Sequence, residues 1–211
     1  FRSEVDTITR AANILGMQKI HDLVLAASVS ETFEGLTNEL MDINTFWYRS
    51  VHCAFLTQAI AEGAGMRNSE SLFVRGLLHD IGVVSVLNYA QGFPMESRQP
   101  EAIDQAIRQL RAQTGSMILR SWGFPMEFVI AALEGEEWHR DKGLQPDYCD
   151  LVIIAQLHSF VGTEHALSAP AINEVPAHAR LALGELTPKM SLKILDEARD
   201  QIAHAEALLN F

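Results

Sequence analysis

The sequence predicts an all-α protein. Apolar residues recur at helical spacing along most of its length, and no segment alternates convincingly as a strand. Gly, Pro and capping residues punctuate the chain at intervals that suit helices joined by short loops. With 211 residues, 48% of them apolar and 20% charged, the chain can bury a sizeable core and does not have the composition of a disordered segment.

The elements follow in order. Ser3 and Asp6 make a capping-box-like start, with Val5, Ile8, Ala12 and Leu15 on one face and Gly16 as the stop. The segment 17–29 carries Ile20, Leu23, Val24 and Ala27 at helical spacing, and 34–40 reads as a polar loop. Asp42 or Asn44 opens a long helix from about Thr45 to Glu62, closed by Gly63 and Gly65. Asn68 or Ser69 caps the next, which carries Leu72, Phe73, Gly76 and Leu77 into His79-Asp80-Ile81-Gly82. The stretch 88–99, with Gly92 and Pro94, reads as a loop. Pro100 takes the favoured first position of a helix reaching about Trp122, bent or interrupted near Gly115.

Trp122-Gly123-Phe124-Pro125 turns the chain into a helix ending at Leu133, and a polar stretch fills 134–147. Asp147 and Asp150 flank the start of a helix that runs to Val161 and stops at Gly162. Past a loop at 168–175, Pro176 starts a short helix and Thr187-Pro188 the last one, with Leu192, Leu195, Ile202 and Leu209 inside. About eight helices result.

Composition excludes several functions. The formal charge is −11, from 16 basic and 27 acidic residues, and no Lys/Arg cluster offers a stripe for a phosphate backbone. Nucleic acid is therefore not expected as a partner, and an acidic surface disfavours anionic membranes. The longest apolar stretches, such as Leu151–Ala155, fall short of the roughly 20 residues of a membrane span. Cys53 and Cys149 form no CxxC pair and read as small core fillers in a reducing cytoplasm. The chain opens Phe1-Arg2-Ser3-Glu4, with neither Met nor a leader pattern, so an upstream segment is expected to be missing. An exposed apolar face on the first helices would mark where it packs.

The chemistry concentrates at His79-Asp80. A His and an Asp at the end of an apolar helix offer one nitrogen and one oxygen to a divalent cation, which needs about six ligands in all. His52 lies 27 residues earlier, and two antiparallel helices joined around 63–67 would bring it beside His79. Ser50 is too close to His52 along one helix for a Ser–His pair, since side chains two apart diverge. No Gly-rich phosphate loop, nucleophile elbow or HExxH motif is present.

Trp47-x-x-Ser50 with His52 and Ala54, followed by Arg75-Gly-Leu-Leu-His-Asp-Ile-Gly82, resembles the HD superfamily, and more narrowly the HDOD domain of bacterial signalling proteins. Ala11-Ala12-Asn13-Ile14-Leu15-Gly16 resembles that family's upstream Ala-Ile-x-x-Leu-Gly run, and Ser121-Trp122-Gly123-Phe124-Pro125 its Trp-Gly-Leu-Pro turn. The four motifs occur in order over 1–162, which the resemblance makes the main domain, with 163–211 as C-terminal helices packed on it. The resemblance implies a phosphodiesterase-like helical bundle acting in cytoplasmic signal output, with signalling proteins or domains as partners. It also implies a pocket retired from catalysis.

This sequence departs from the catalytic relatives at three places. Arg111 stands where they carry a His four residues before the helix glycine, here Gly115. Gly135 and Glu136 stand in place of a His pair, and Gln156 in place of the Asp that closes the site. The expected vestigial pocket is His52, His79, Asp80, Arg111, Glu136 and Gln156, with His52, His79 and Asp80 as ligands if any weakly held divalent metal binds. No cofactor is expected. Arg111 is expected to replace the cation by pairing with Asp80 or Glu136.

His139 and His158 are expected in solvent or packing roles, because His158 turns about 200° away from Gln156 on one helix. Asp150 lies about 9 Å along that helix, too far to join the pocket. His21, His165, His178 and His204 read as surface residues. The leading expectation is a non-enzymatic signalling module. The alternatives are a working metal-dependent phosphohydrolase on a nucleotide or cyclic dinucleotide, and a protein that binds a nucleotide without cleaving it.

Overall fold

The computed structural model describes residues 43–64, 66, 72–161 and 163–181. They form seven α-helices: α1 (Ile43–Gly63), α2 (Leu72–Leu78), α3 (Ile81–Gln91), α4 (Pro100–Ser121), α5 (Met126–Glu134), α6 (Tyr148–Ser159) and α7 (Pro176–Arg180). Short 3-10 turns occur at Met95–Ser97, Glu164–Leu167 and Ile172–Glu174. No strand occurs among the described residues. The expected helices at 3–16, 17–29 and beyond Thr187 lie outside them, as does the apolar face expected near the N-terminus.

Two apolar cores share one helix. Phe46, Trp47, Val51 and Ala54 of α1 pack with residues of α2, α3, α4 and α5. Cys53, Leu56, Ile60 and Ala61, on the other side of α1, pack with α6 and with Val175, Ala177 and Leu181 around α7. A helix that serves two cores must be apolar on most of its circumference, and α1 is. Helix α6 is buried all round, from Cys149 to His158. Both cysteines are free and buried, and burial pushes their thiols up to about 12, so they stay protonated and inert.

The segment Leu72–Gln91 is long and apolar enough to cross a membrane by length and composition, which the short apolar runs of the sequence do not reveal. In the fold, 72% of that window is buried against the other helices. It is core.

Two elements differ from the sequence expectation. Residues 88–91 continue α3 instead of opening a loop, and Gly92 ends the helix. Helix α4 runs without interruption through Gly115. Glycine there is a contact and not a break. A Cβ on Gly82 would overlap the backbone carbonyl of Arg111 and lie 2.7 Å from the Gly115 nitrogen, so α3 and α4 meet backbone to backbone. Likewise a Cβ on Gly76 would lie 2.6 Å from Ala54 Cα, fixing α2 against α1. These two approaches set where the His79-Asp80 step between α2 and α3 sits.

Gly82→Ala should therefore separate α3 from α4 and destabilise the protein by about 2 kcal/mol or more, as overpacking against unyielding backbone does. Urea unfolding followed by tryptophan fluorescence measures it.

Candidate functional site

His79 and Asp80 occupy the two residues between α2 and α3. The His79 ring donates from Nδ1 to the Gly76 carbonyl (2.6 Å), the last turn of α2 orienting it. Burial lowers the imidazole's pKa below its usual value, with Asp80 and the Gly76 bond pulling the other way. The ring is then neutral near pH 7, with Nε2 as its acceptor nitrogen.

The Asp80 carboxylate finds its partner 31 residues away. Arg111 Nη1 donates to Asp80 Oδ1 at 2.7 Å, and Arg111 Nη2 pairs with Glu136 Oε2. The side chains of Arg111 and Asp80 are 13% and 14% exposed, so the pair is mostly shielded from water; Glu136 is 37% exposed. Arg111 sits one helical turn before Gly115, and the Gly82–Gly115 approach is what brings it within reach.

Gln156 closes the same region from α6. It is buried, and its Oε1 has no hydrogen-bond partner. Its amide nitrogen lies beside Gly135, which would place a Cβ 3.3 Å from it. His79, Asp80, Arg111, Glu136 and Gln156 all line one cavity of about 190 Å³. His52 lines neither this cavity nor the larger one beside it. It lies on α1, half-buried, with its ring 5.9 Å from that of Tyr48 and its pKa lowered by burial alone.

Do these residues fit a divalent metal? Among the described residues no three His, Cys, Asp or Glu side chains come together as a metal-holding group. The donors that remain are also committed, because a guanidinium takes up both Asp80 and Glu136. The set does not fit a resident cation, and no step is derived through one.

A buried ionic network holds the Glu136 side in place, and sequence reasoning missed it. Arg140 is buried and binds Asp147 through both terminal nitrogens (2.7 Å each), Asp150 (3.1 Å) and Glu134 (3.1 Å). Arg180 of α7 reaches the same Asp150 at 2.7 and 3.0 Å and the Arg140 carbonyl at 3.2 Å. Asp147 and Asp150 also form the capping box of α6. That box was the available signal; its arginine partners left none, since nothing in their local sequence marks them as buried.

The histidines divide. His139 and His165 are exposed, His165 accepting from Arg49 at 2.9 Å. His178 is half-buried, with Nε2 unpartnered, and not the surface residue its sequence suggests. His158 fills a packing role, fully buried with neither nitrogen hydrogen-bonded. Its pKa is lowered to about 4, by burial first and by His178 second.

The family model for the HDOD domain matches residues 1–137. The chain belongs to the HDOD family. Among solved structures, an HDOD domain protein of unknown function from Geobacter sulfurreducens matches with TM-score 0.66 at 17% identity, covering 99% of this chain and 76% of that one. A Shewanella amazonensis protein provisionally described as a phosphohydrolase matches with TM-score 0.65 at 21% identity, over 98% and 78% of the two chains. A second from that organism, provisionally described as a metal-dependent phosphohydrolase, matches with TM-score 0.62 at 18% identity, over 87% and 75%. At these identities the likeness is one of HD-type helical fold. No curated protein matches.

His158 generates a pH prediction. Unfolded, its ring takes a proton near 6.5; folded, it resists protonation down to about 4. Stability is therefore full above pH 6.5 and falls as pH drops from 6.5 towards 4, by about 1.4 kcal/mol per unit. His158→Leu removes that proton. Denaturation midpoints should show the HDOD domain variant more stable than wild type by about 2 kcal/mol at pH 5, relative to their difference at pH 7.5.

Proposed function

We propose that this HDOD domain is an interaction module of cytoplasmic signal output whose HD-type pocket works without a catalytic metal. The observation that carries the reading is the Arg111 bridge between Asp80 and Glu136. A carboxylate shielded from water needs a counter-charge, and the guanidinium supplies the one a metal would otherwise provide. A dication brought to Asp80 would meet Arg111. At an effective dielectric of about 20, two unit charges 4 Å apart already repel by about 4 kcal/mol, and a dication doubles that. Gln156 adds a neutral amide oxygen, a weaker donor to a hard cation than a carboxylate. Without metal, phosphoester hydrolysis loses both water activation and charge neutralisation. The role left to the domain is recognition, with signalling proteins or domains as its partners.

A second reading, a working metal-dependent phosphohydrolase, draws on the descriptions given to the two Shewanella proteins and on His79 and Asp80 lining one cavity. One assay separates the two. With excess Mg²⁺ or Mn²⁺, wild type and Asp80→Ala are compared on generic and cyclic-dinucleotide phosphoesters. Equal background in both is expected; turnover present in wild type and lost in Asp80→Ala would establish the enzyme instead.

A further inference from the structure

Beside the Arg111 bridge lies a second cavity of about 520 Å³, the size of an ordinary small-molecule site. One wall is aromatic. Trp138 and Phe160 meet edge to face with centroids 6.2 Å apart, and the His165 ring lies 5.3 Å from Phe160. Among the described residues, three arginines and three carboxylates line the rest, and they are unequally matched. Arg108 pairs with Asp104, and Arg111 with Asp80 and Glu136.

Arg49 has no carboxylate partner among the described residues. Its polar contact is His165 Nε2 at 2.9 Å, and its Cζ stands 5.4 Å from the Phe160 centroid. A guanidinium has five N–H donors, so most of its capacity is unused. Burial lowers its pKa, which marks a charge poorly solvated where it stands. Such a group is built to receive a planar anion through two parallel hydrogen bonds.

From this we infer that the cavity binds a small organic anion carrying a flat aromatic ring system, its anionic group on Arg49 and its ring face against Trp138 and Phe160. The charge count limits the ligand. Among the described residues, Arg108 and Arg111 are engaged by Asp104, Asp80 and Glu136, so the lining offers one open cation, Arg49, and not the several that a polyphosphate needs. A single negative charge fits, as in an aromatic carboxylate. The inference rests on the proposed reading in one respect, because Arg111 must stay engaged with Asp80 and Glu136 and leave Arg49 as the open cation.

The test is calorimetric titration of the whole chain with 2-naphthoate and with its neutral isostere 2-naphthamide. EDTA is present throughout, so that any metal uptake at Asp80, which would sink the proposed function, does not enter the result. Naphthoate should bind at least about tenfold more tightly than the amide. Arg49→Gln should abolish that preference. Equal affinity for the two probes, a preference that survives in Arg49→Gln, or no binding of naphthoate up to millimolar concentration would each overturn the inference. The comparison of the two probes is read on wild type, so it decides the matter even if the variant fails to fold.

Discussion

Helices α3 and α4 meet where neither has a side chain to hold them apart, and the arrangement of the pocket follows from that contact. Gly82 lies against the Arg111 carbonyl and the Gly115 nitrogen, so the distance between the helices is set by backbone. Asp80 precedes Gly82 by two residues, and Arg111 precedes Gly115 by one turn. The same contact therefore delivers both partners of the ion pair. Bulk at Gly82 would push against the Arg111 backbone, and an Arg111 moved outward would leave Asp80 shielded without a counter-charge, an arrangement costing several kcal/mol. The glycines do for this site what ligand bonds do for a metal centre: they fix the geometry before any charge is paired.

The other half of the pocket depends on a different kind of restraint. Glu136 belongs to an irregular stretch after α5, which no helix holds in register. Arg140 and Arg180 supply that hold by converging on Asp150, itself fully buried at the first turn of α6. A buried ionic network contributes little net stability compared with apolar packing of equal volume, because desolvating the ions offsets most of their attraction. What it can give is position. It ties the end of α5, the loop carrying Glu136, the start of α6 and α7 to one point, and so keeps Glu136 within reach of Arg111.

Much of the fold was legible in the sequence because apolar period and capping chemistry are local. Helix α1 between its polar start and Gly63, α5 after Pro125 and α6 after the Asp147 box all sit close to where those signals place them. The misreadings share a cause, which is that glycine and polar residues were interpreted without their tertiary neighbours. Gly115 read as a break because its role is a contact with a residue 33 positions earlier. Asn88 read as loop because residues 88 and 89 lie exposed on a helix whose stability comes from its buried face. In the site, His79-Asp80 stood out as a motif, and Arg111, Glu136 and Gln156 through comparison with a family pattern. Nothing local in the sequence discloses that His158 is buried, that Arg140 and Arg180 converge, or that Arg49 meets no acid among the described residues.

Arg111 and Gln156 bear on the same charge balance. Arg111 contributes one positive charge, and Asp80 and Glu136 one negative charge each, so the bridge carries a net charge of −1. An aspartate at position 156 would raise that to −2 around a cavity of about 190 Å³, with its oxygens buried as the Gln156 amide is now. A further carboxylate there would have no cation of its own, since Arg111 is already shared by Asp80 and Glu136. A neutral amide avoids the conflict at the smaller cost of one unpaired oxygen, Oε1, which is the orphan found at this position. Asp80 and Glu136 already exceed the single positive charge of Arg111, so an amide at 156 keeps the buried imbalance at one charge where a carboxylate would make it two.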